Sequence, residues 1–377
     1  MVNVGWYNLK RDRLRVAVAV LGVVFSVVLV TVETGLLLGL MRNSSLLIDN
    51  SRADIWISTI DVKTFDFATP FATRKKYRVQ AIEGVDRVEE YFVTYSVWKL
   101  PTGGNTNIQI VGFETRGELA PPINVVQGRI EDLDQPDAIM LDELDVPKLG
   151  NPQIGDIVEV FAQRARVVGF TRGMRSFTTT PYVFTALRNA ARYSPIAGEN
   201  VEVSIYLLAR VASGHDVEAV RGAIMASVPD VEAHTRASFA WRTRSYWLIE
   251  TGMGVGFLGA ALLGLLVGGV IVSQTLYAMT VEKLPEFGVL KALGASMREI
   301  SGIVLQQAFI CGAAGLGVGL VISFLISSAA TSAGTTIEFS FAQVLVVVLI
   351  TAGLSAGASL VSVARLWLVD PVMVFRA

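Results

Sequence analysis

Val281-Glu282-Lys283-Leu284-Pro285-Glu286-Phe287-Gly288-Val289-Leu290-Lys291-Ala292-Leu293-Gly294-Ala295-Ser296 interrupts an otherwise apolar stretch of the chain. It reads as a short helix bounded on both sides. Pro285 suits the first helical position, where the missing N–H has no intrahelical partner to lose. Glu286 follows in the first turn, where the helix dipole favours an anion, and Gly294 stands as a C-terminal stop. Phe287, Leu290 and Leu293 recur every three residues and give an apolar stripe with Glu286 to one side. Such a stripe lies against lipid or docks in a partner's groove.

What flanks this helix decides the fold. The chain has 377 residues, 52% of them hydrophobic and 17% charged, against roughly 25% charged in soluble domains. Residues 16–32, 251–281, 300–337 and 339–364 carry no Asp, Glu, Lys or Arg. Each exceeds or approaches the ~20 residues that a helix needs to cross a bilayer core. The expected architecture is an α-helical bundle of four membrane helices, arranged one plus three, at 16–41, 248–278, 300–327 and 341–365. The first is a retained anchor rather than a signal peptide, because the run is too long and no A-x-A-like cleavage site follows it. Lys10, Arg11, Arg13 and Arg15 place segment 1–15 in the cytoplasm by the positive-inside rule. Four crossings return segment 366–377 to the same side. The loop 279–299 carries Lys283, Lys291 and Arg298 and lies inside, while 328–340 is a short outer connection.

Residues 42–244 are then a soluble extracytoplasmic insert of mixed α and β character. Strand-like runs rich in β-branched and aromatic residues occur at 54–60, 88–100, 107–113, 157–170 and 201–211. Turn signals separate them at Pro101-Thr102-Gly103-Gly104, Gly150-Asn151-Pro152 and Ala197-Gly198. Helical spacing covers 74–82 and 216–227. Two lobes are expected, parting between Gly117 and Pro136. The lone cysteine, Cys311, allows no intrachain disulfide.

Several motifs look chemical and are better read as packing. Gly254-Val255-Gly256-Phe257-Leu258-Gly259 spells a dinucleotide fingerprint without the strand it requires. Gly353-Leu354-Ser355-Ala356-Gly357 spells a nucleophile elbow, yet the two histidines, His215 and His234, lie in the insert. Small residues four apart let membrane helices approach closely, which accounts for Gly353 with Gly357 and for Gly315 with Gly319. No metal site follows from two histidines 19 residues apart. No phosphate-cradling loop occurs, so ATP hydrolysis would belong to a partner. Catalytic residues and bound cofactors are not expected, and a net charge of -1 gives no footprint for nucleic acid. Glu33 is the one ionisable residue within a span and therefore a candidate polar site. It falls ~26 Å along the helix from Val16, near the outer interface.

The run from Glu282-Lys283 to Gly294-Ala295-Ser296 resembles the E-[KR]-x-x-E-[FI]-G-x-[LM]-[RK]-A-[LI]-G-[AS]-[ST] coupling segment of FtsX-like, MacB-type ABC permeases. Pro285 departs from that pattern, in which a charged residue is common. The insert after the first helix, the three C-terminal helices and the closing Val369-Asp370-Pro371-Val372 are similar to the same family. Within it, Trp6-Tyr7-Asn8-Leu9-Lys10-Arg11-Asp12-Arg13-Leu14-Arg15 and the run from Gly84-Val85-Asp86-Arg87-Val88 to Trp98-Lys99 resemble the DevC type, the permease of heterocyst glycolipid exporters. The resemblance implies a type VII (MacB-like) ABC permease fold in the bacterial inner membrane, working as a homodimer or with a paralogue. A separate cytoplasmic ATPase would hold ATP and magnesium and contact Glu282, Glu286, Phe287, Gly288, Leu290, Lys291, Leu293 and Gly294. A periplasmic adaptor, an outer-membrane channel and membrane lipids would be further partners in exporting a lipid, glycolipid or other amphipathic cargo. A non-transporting relay that activates a cell-wall hydrolase, a lipoprotein-releasing or macrolide-exporter permease, and an unrelated membrane receptor are the competing readings.

Overall fold

The computed structural model describes residues 12–120, 124–178, 180–196, 203–332, 335 and 337–366. The DevC-like residues 6–11, Ala197-Gly198 and the closing 369–372 lie outside them. The chain divides into a unit formed by Met1–Gly39 with Met253–Ala377 and a unit formed by Leu40–Gly252.

Helix α1 (Arg13–Ser44) is apolar around its whole circumference. Its many valines are modest helix formers in water. In hydrocarbon, however, every backbone N–H and C=O must be satisfied within the segment, and the helix does so.

The inserted unit continues through α2 (Leu46–Asp49), β1 (Ile55–Ser58), a single 3-10 turn (Phe65–Phe67), β2 (Phe71–Ala72) and α3 (Lys75–Gln80). The long hairpin β3 (Val85–Lys99) and β4 (Asn105–Phe113) follows, then β5 (Val125–Gln127), β6 (Ala138–Asp142), β7 (Ile157–Val160), β8 (Gln163–Thr171) and β9 (Tyr182–Ala186). The last part comprises α4 (Leu187–Ala190), β10 (Val203–Ser204), β11 (Tyr206–Val211), α5 (Val217–Ser227), β12 (Glu232–Thr235) and α6 (Arg236–Ser245). One ten-stranded sheet runs β12-β1-β11-β3-β4-β9-β6-β8-β5, with β7 joining β3 and β8, while β10 and β2 pair separately.

Strand β1 shows why the sheet is covered on both faces. Its sequence Ile-Trp-Ile has no polar alternation, and all four of its residues are buried. Ile55 and Ile57 face Val79 of α3 and Val220 and Ile224 of α5. Trp56 faces the other way, into a larger cluster with Phe65, Tyr91, Tyr206 and Phe239. Its ring centroid lies 5.5 to 5.9 Å from each of those four, the spacing at which aromatic pairs add to simple burial.

Three expectations change. The run 157–170 is two strands, because Phe161 (φ 48°) and Ala162 (φ 57°) are both left-handed, as a two-residue hairpin turn between right-twisted strands requires. The run 201–211 breaks at Ile205 into β10 and β11. The sheet also continues past the 117–136 stretch where two lobes would part, since β5 pairs with β8 and β6 with both β8 and β9. The helical readings fall on α3 and α5, and the Asp216 carboxylate caps α5 by accepting from Ala219 N at 2.9 Å.

After α6 the chain makes a π-helical turn (Tyr246–Glu250) and a bend at Gly252, which has φ 74°. Helices α7 (Met253–Glu282), α8 (Leu284–Ala292), α9 (Met297–Ser332) and α10 (Phe341–Leu366) complete the chain. Four helices, α1, α7, α9 and α10, are long and apolar enough to cross a membrane. The second begins at Met253 rather than 248 because Trp247 and Glu250 are held by side chains of the inserted unit.

In the membrane unit, glycines set the approach of the helices. Gly264 and Gly268 of α7 face Leu29 and Ser26 of α1, and Ser26 Oγ donates to Gly264 O at 2.7 Å. Gly315 and Gly319 of α9 lie where a Cβ would meet Val23 at 2.5 Å and Val27 at 2.7 Å. Gly353 and Gly357 of α10 do otherwise: a Cβ at either would meet nothing within 4 Å.

Candidate functional site

The segment between α7 and α9 is a closed structural unit. Lys283 occupies the N-cap of α8, and Pro285 is the second helical residue rather than the first. At the other end Gly294 takes φ 98°, Gly294 N donates to Lys291 O at 3.1 Å and Ala295 N to Leu290 O at 3.0 Å. That pair of bonds is a Schellman cap, which needs a residue without a Cβ penalty in the left-handed position. Ser296 and Glu299 then start α9 with a capping box: Ser296 N donates to Glu299 Oε2 at 2.8 Å, and Glu299 N donates to Ser296 Oγ at 3.3 Å. Sequence reasoning missed this cap, although Ser296-Met297-Arg298-Glu299 spells its signature.

The face α8 buries differs from the expected stripe. Phe287 is 3% exposed and packs with Ile300 and Val304 at the start of α9, with Leu284, Leu290, Met297 and Val363 around it. Gly288 is buried beside it. Leu293 is 80% exposed. The cause is helical geometry: steps of three residues drift by about 60° each around a helix of 3.6 residues per turn, so Leu293 has left the Phe287 face. It shares a face with Glu286 and Val289 instead, and Val289 is 48% exposed. Ala292 and Gly294 are exposed next to it, and Lys291 is half-buried. The outward surface is therefore Glu286, Val289, Ala292 and Leu293.

Charge pairs tie this surface to its base. Lys283 Nζ donates to Glu286 Oε2 at 2.9 Å, its stem buried. Glu282, at the end of α7, forms an ion pair with Arg15 of α1. The two ends of α1 and α7 are thereby joined where α8 departs.

Glu33 is half-buried and has no hydrogen bond or ion pair among the described residues. Its neighbours supply the polar contacts of that level: Gln343 Nε2 of α10 donates to Thr31 O at 2.7 Å and to Thr34 Oγ1 at 2.8 Å. Cys311 is buried and free. His234 stacks on Phe239 with ring centroids 5.7 Å apart, a packing role. No group of His, Cys, Asp and Glu among the described residues could hold a metal ion.

Residues 16–227 match the model of the MacB-like periplasmic core domain, more than half of the chain, and residues 258–367 match that of the FtsX-like permease C-terminal domain. The chain belongs to the MacB/FtsX-type family of ABC permeases. The four apolar helices and the α/β domain inserted after the first are those of the type VII fold of that family, a multi-pass protein of the inner membrane. An uncharacterized ABC transporter permease of Methanocaldococcus jannaschii is 24% identical over 173 residues, which cover 45% of this chain and 42% of that protein. The match thus spans about two-fifths of the length of that relative. Among solved structures, the periplasmic region of MacB from Actinobacillus actinomycetemcomitans is similar at 10% identity and a TM-score of 0.38, over 54% of this chain and 96% of that one. The extracellular domain of a noncanonic ABC-type transporter from Gram-positive bacteria is similar at 12% identity and a TM-score of 0.35, over 48% and 99%.

Proposed function

We propose that this chain is the transmembrane subunit of an ABC export complex, with α8 as the contact for a separate cytoplasmic ATPase. The observation that carries the proposal is the two-faced build of α8. Phe287 anchors it to the bases of α9 and α10, and the Schellman cap at Gly294 closes its C-terminal end, so a push on the helix is passed to the membrane helices rather than absorbed by fraying. Its outward face presents Leu293 and Val289 beside Glu286, an apolar centre with a charged edge, the composition by which an interface helix docks into a groove. Motion delivered there reaches α7 directly, and Glu282 with Arg15 brings α1 along. ATP and magnesium belong to the partner. A second copy of the chain or a paralogue completes the complex, with termini on the ATPase side.

The cargo class that fits is a lipid, glycolipid or other amphipath, passed on by a periplasmic adaptor and an outer-membrane channel. The DevC-type reading rests on residues 6–15 and 84–99 of the sequence. The non-transporting relay would pair the same docking surface with an external cell-wall hydrolase in place of an adaptor.

Docking is tested by co-purification with the partner ABC ATPase. Leu293→Asp places an unpaired charge in the centre of the contact and is expected to weaken binding at least tenfold, since truncating a central anchor costs about 2 kcal/mol or more. Glu286→Lys weakens it less. Leu293 is exposed, so thermal stability of the permease itself stays unchanged in Leu293→Asp, whereas Glu286→Lys also takes the partner from the buried Lys283 and lowers stability somewhat. Wild-type retention of the ATPase by Leu293→Asp would sink the docking role.

A further inference from the structure

Asp66 lies on the turn Phe65–Phe67 in the inserted unit and is 6% exposed. Its Oδ2 accepts from the Trp247 indole N–H at 3.1 Å and from the Thr64 hydroxyl at 3.3 Å, and its Oδ1 accepts from Gln109 Nε2 at 3.4 Å. All three donors are neutral, and no cation pairs with the carboxyl among the described residues. A buried carboxylate without a countercharge is a costly arrangement. The Gln109 amide is fully buried, and its Oε1 has no donor. That amide can present its nitrogen to a carboxylate or its oxygen to a protonated acid. Burial accordingly pushes the Asp66 carboxyl above the usual carboxylate range, the three donors opposing it only in part.

The other groups that face Asp66 do not supply a charge. Burial, with the charge of Asp66 adding to it, holds the phenols of Tyr95 on β3, Tyr182 on β9 and Tyr206 on β11 well above the ordinary tyrosine range. Lys63 and Glu250, at the exposed edge, satisfy each other at 2.8 Å.

The position of this carboxyl gives it a task. Residues 63–66 grip the last segment of the unit at three points: Phe65 N donates to Thr243 Oγ1 at 3.2 Å, Trp247 is bound by Asp66, and Lys63 is paired with Glu250. Trp247 and Glu250 form the π-helical turn that leads into α7. We propose that Asp66 is a proton-set latch, closed on Trp247 when the carboxyl is neutral and opened when it ionises, which fixes or frees the turn that enters α7. The sign follows from linkage. The closed state binds the proton more tightly than an open, hydrated one, so closure is favoured below the ordinary aspartate range and lost as pH rises through the raised value. Its purpose, setting how firmly the turn at Tyr246–Glu250 is held, rests on the export reading.

Hydrogen–deuterium exchange of residues 243–252 in the full chain, reconstituted in lipid nanodiscs at pH 5 and pH 8 and corrected for intrinsic rates, tests the latch. The wild type should be several-fold better protected at pH 5. Asp66→Asn, which is neutral and keeps an acceptor for Trp247, should be protected equally at both. Trp247→Phe keeps the ring, loses the bond and should exchange faster at both. Equal wild-type protection at the two pH values, or an unchanged pH response in Asp66→Asn, overturns the proposal. No ATPase enters this measurement, so failure here leaves the docking result standing, and failure of docking leaves this one readable.

Discussion

Gly268→Leu is expected to separate α1 from α7 and to leave a membrane unit that aggregates on extraction. A Cβ at Gly268 would run into Ser26 Oγ and would meet the backbone carbonyl of Gly22 at 2.7 Å. A backbone oxygen cannot rotate away as a side-chain tip can. Ser26 is also held in place, because its hydroxyl donates to Gly264 O one turn earlier in α7. Overpacking of a close-fitted core costs about 1–3 kcal/mol, and more where backbone must shift. Gly315→Leu, directed at Val23, should act in the same way between α9 and α1. Gly353→Leu and Gly357→Leu are the controls, since open space surrounds both. Fluorescence-detected size-exclusion chromatography with a thermal ramp reads the difference. Equal melting of Gly268→Leu and the wild type would refute the close α1–α7 contact.

Asp145→Ala should be the most damaging polar substitution in the inserted unit, at about 3–5 kcal/mol, because it leaves a buried cation without its partner. Arg175 is 5% exposed and Asp145 is 1% exposed, with Arg175 Nη2 at 3.0 Å from Asp145 Oδ1. Lys148 shares the same oxygen at 3.1 Å but is on the outer side of the pair. Asp142 is next to this pair and is already committed, accepting from Met174 N at 2.8 Å and Leu144 N at 3.1 Å. Adding Arg175→Met removes the stranded charge and should recover part of the loss, which a denaturation series on the two variants would measure. A double variant no more stable than Asp145→Ala alone would show that the cost lies in the carboxylate's backbone surroundings instead.

The membrane spans were legible because hydrocarbon imposes a composition that no tertiary contact can override. The strands β3, β4 and β1 were legible from their β-branched and aromatic residues. The break at Phe161-Ala162 was not, since neither residue advertises a left-handed backbone and only pairing with β8 imposes it. On α8, the stripe expected of Phe287, Leu290 and Leu293 divides, with Phe287 buried within the chain and Leu293 exposed, because a helix does not keep a three-residue spacing on one face. Asp66 carried little local signal, because Gln109 and Trp247 meet it only in the folded unit, and only Thr64 is near in sequence. The face of Gly353 and Gly357 shows the converse: a small-residue spacing predicts close approach but not by which helix, and among the described residues none approaches it.

The pairing of β1 with β11 and β12 bears on how the protein is made. The backbone of Ile55 to Ser58 pairs with the last two strands of the insert, β11 and β12. A growing chain that has delivered β1 across the membrane therefore holds an Ile-Trp-Ile segment with no place to go until β12 has also crossed. That segment stays without its strand partners through nearly the entire synthesis of the insert. Mutations that slow translocation between β3 and β11 should then appear as aggregation even where they leave the mature structure untouched.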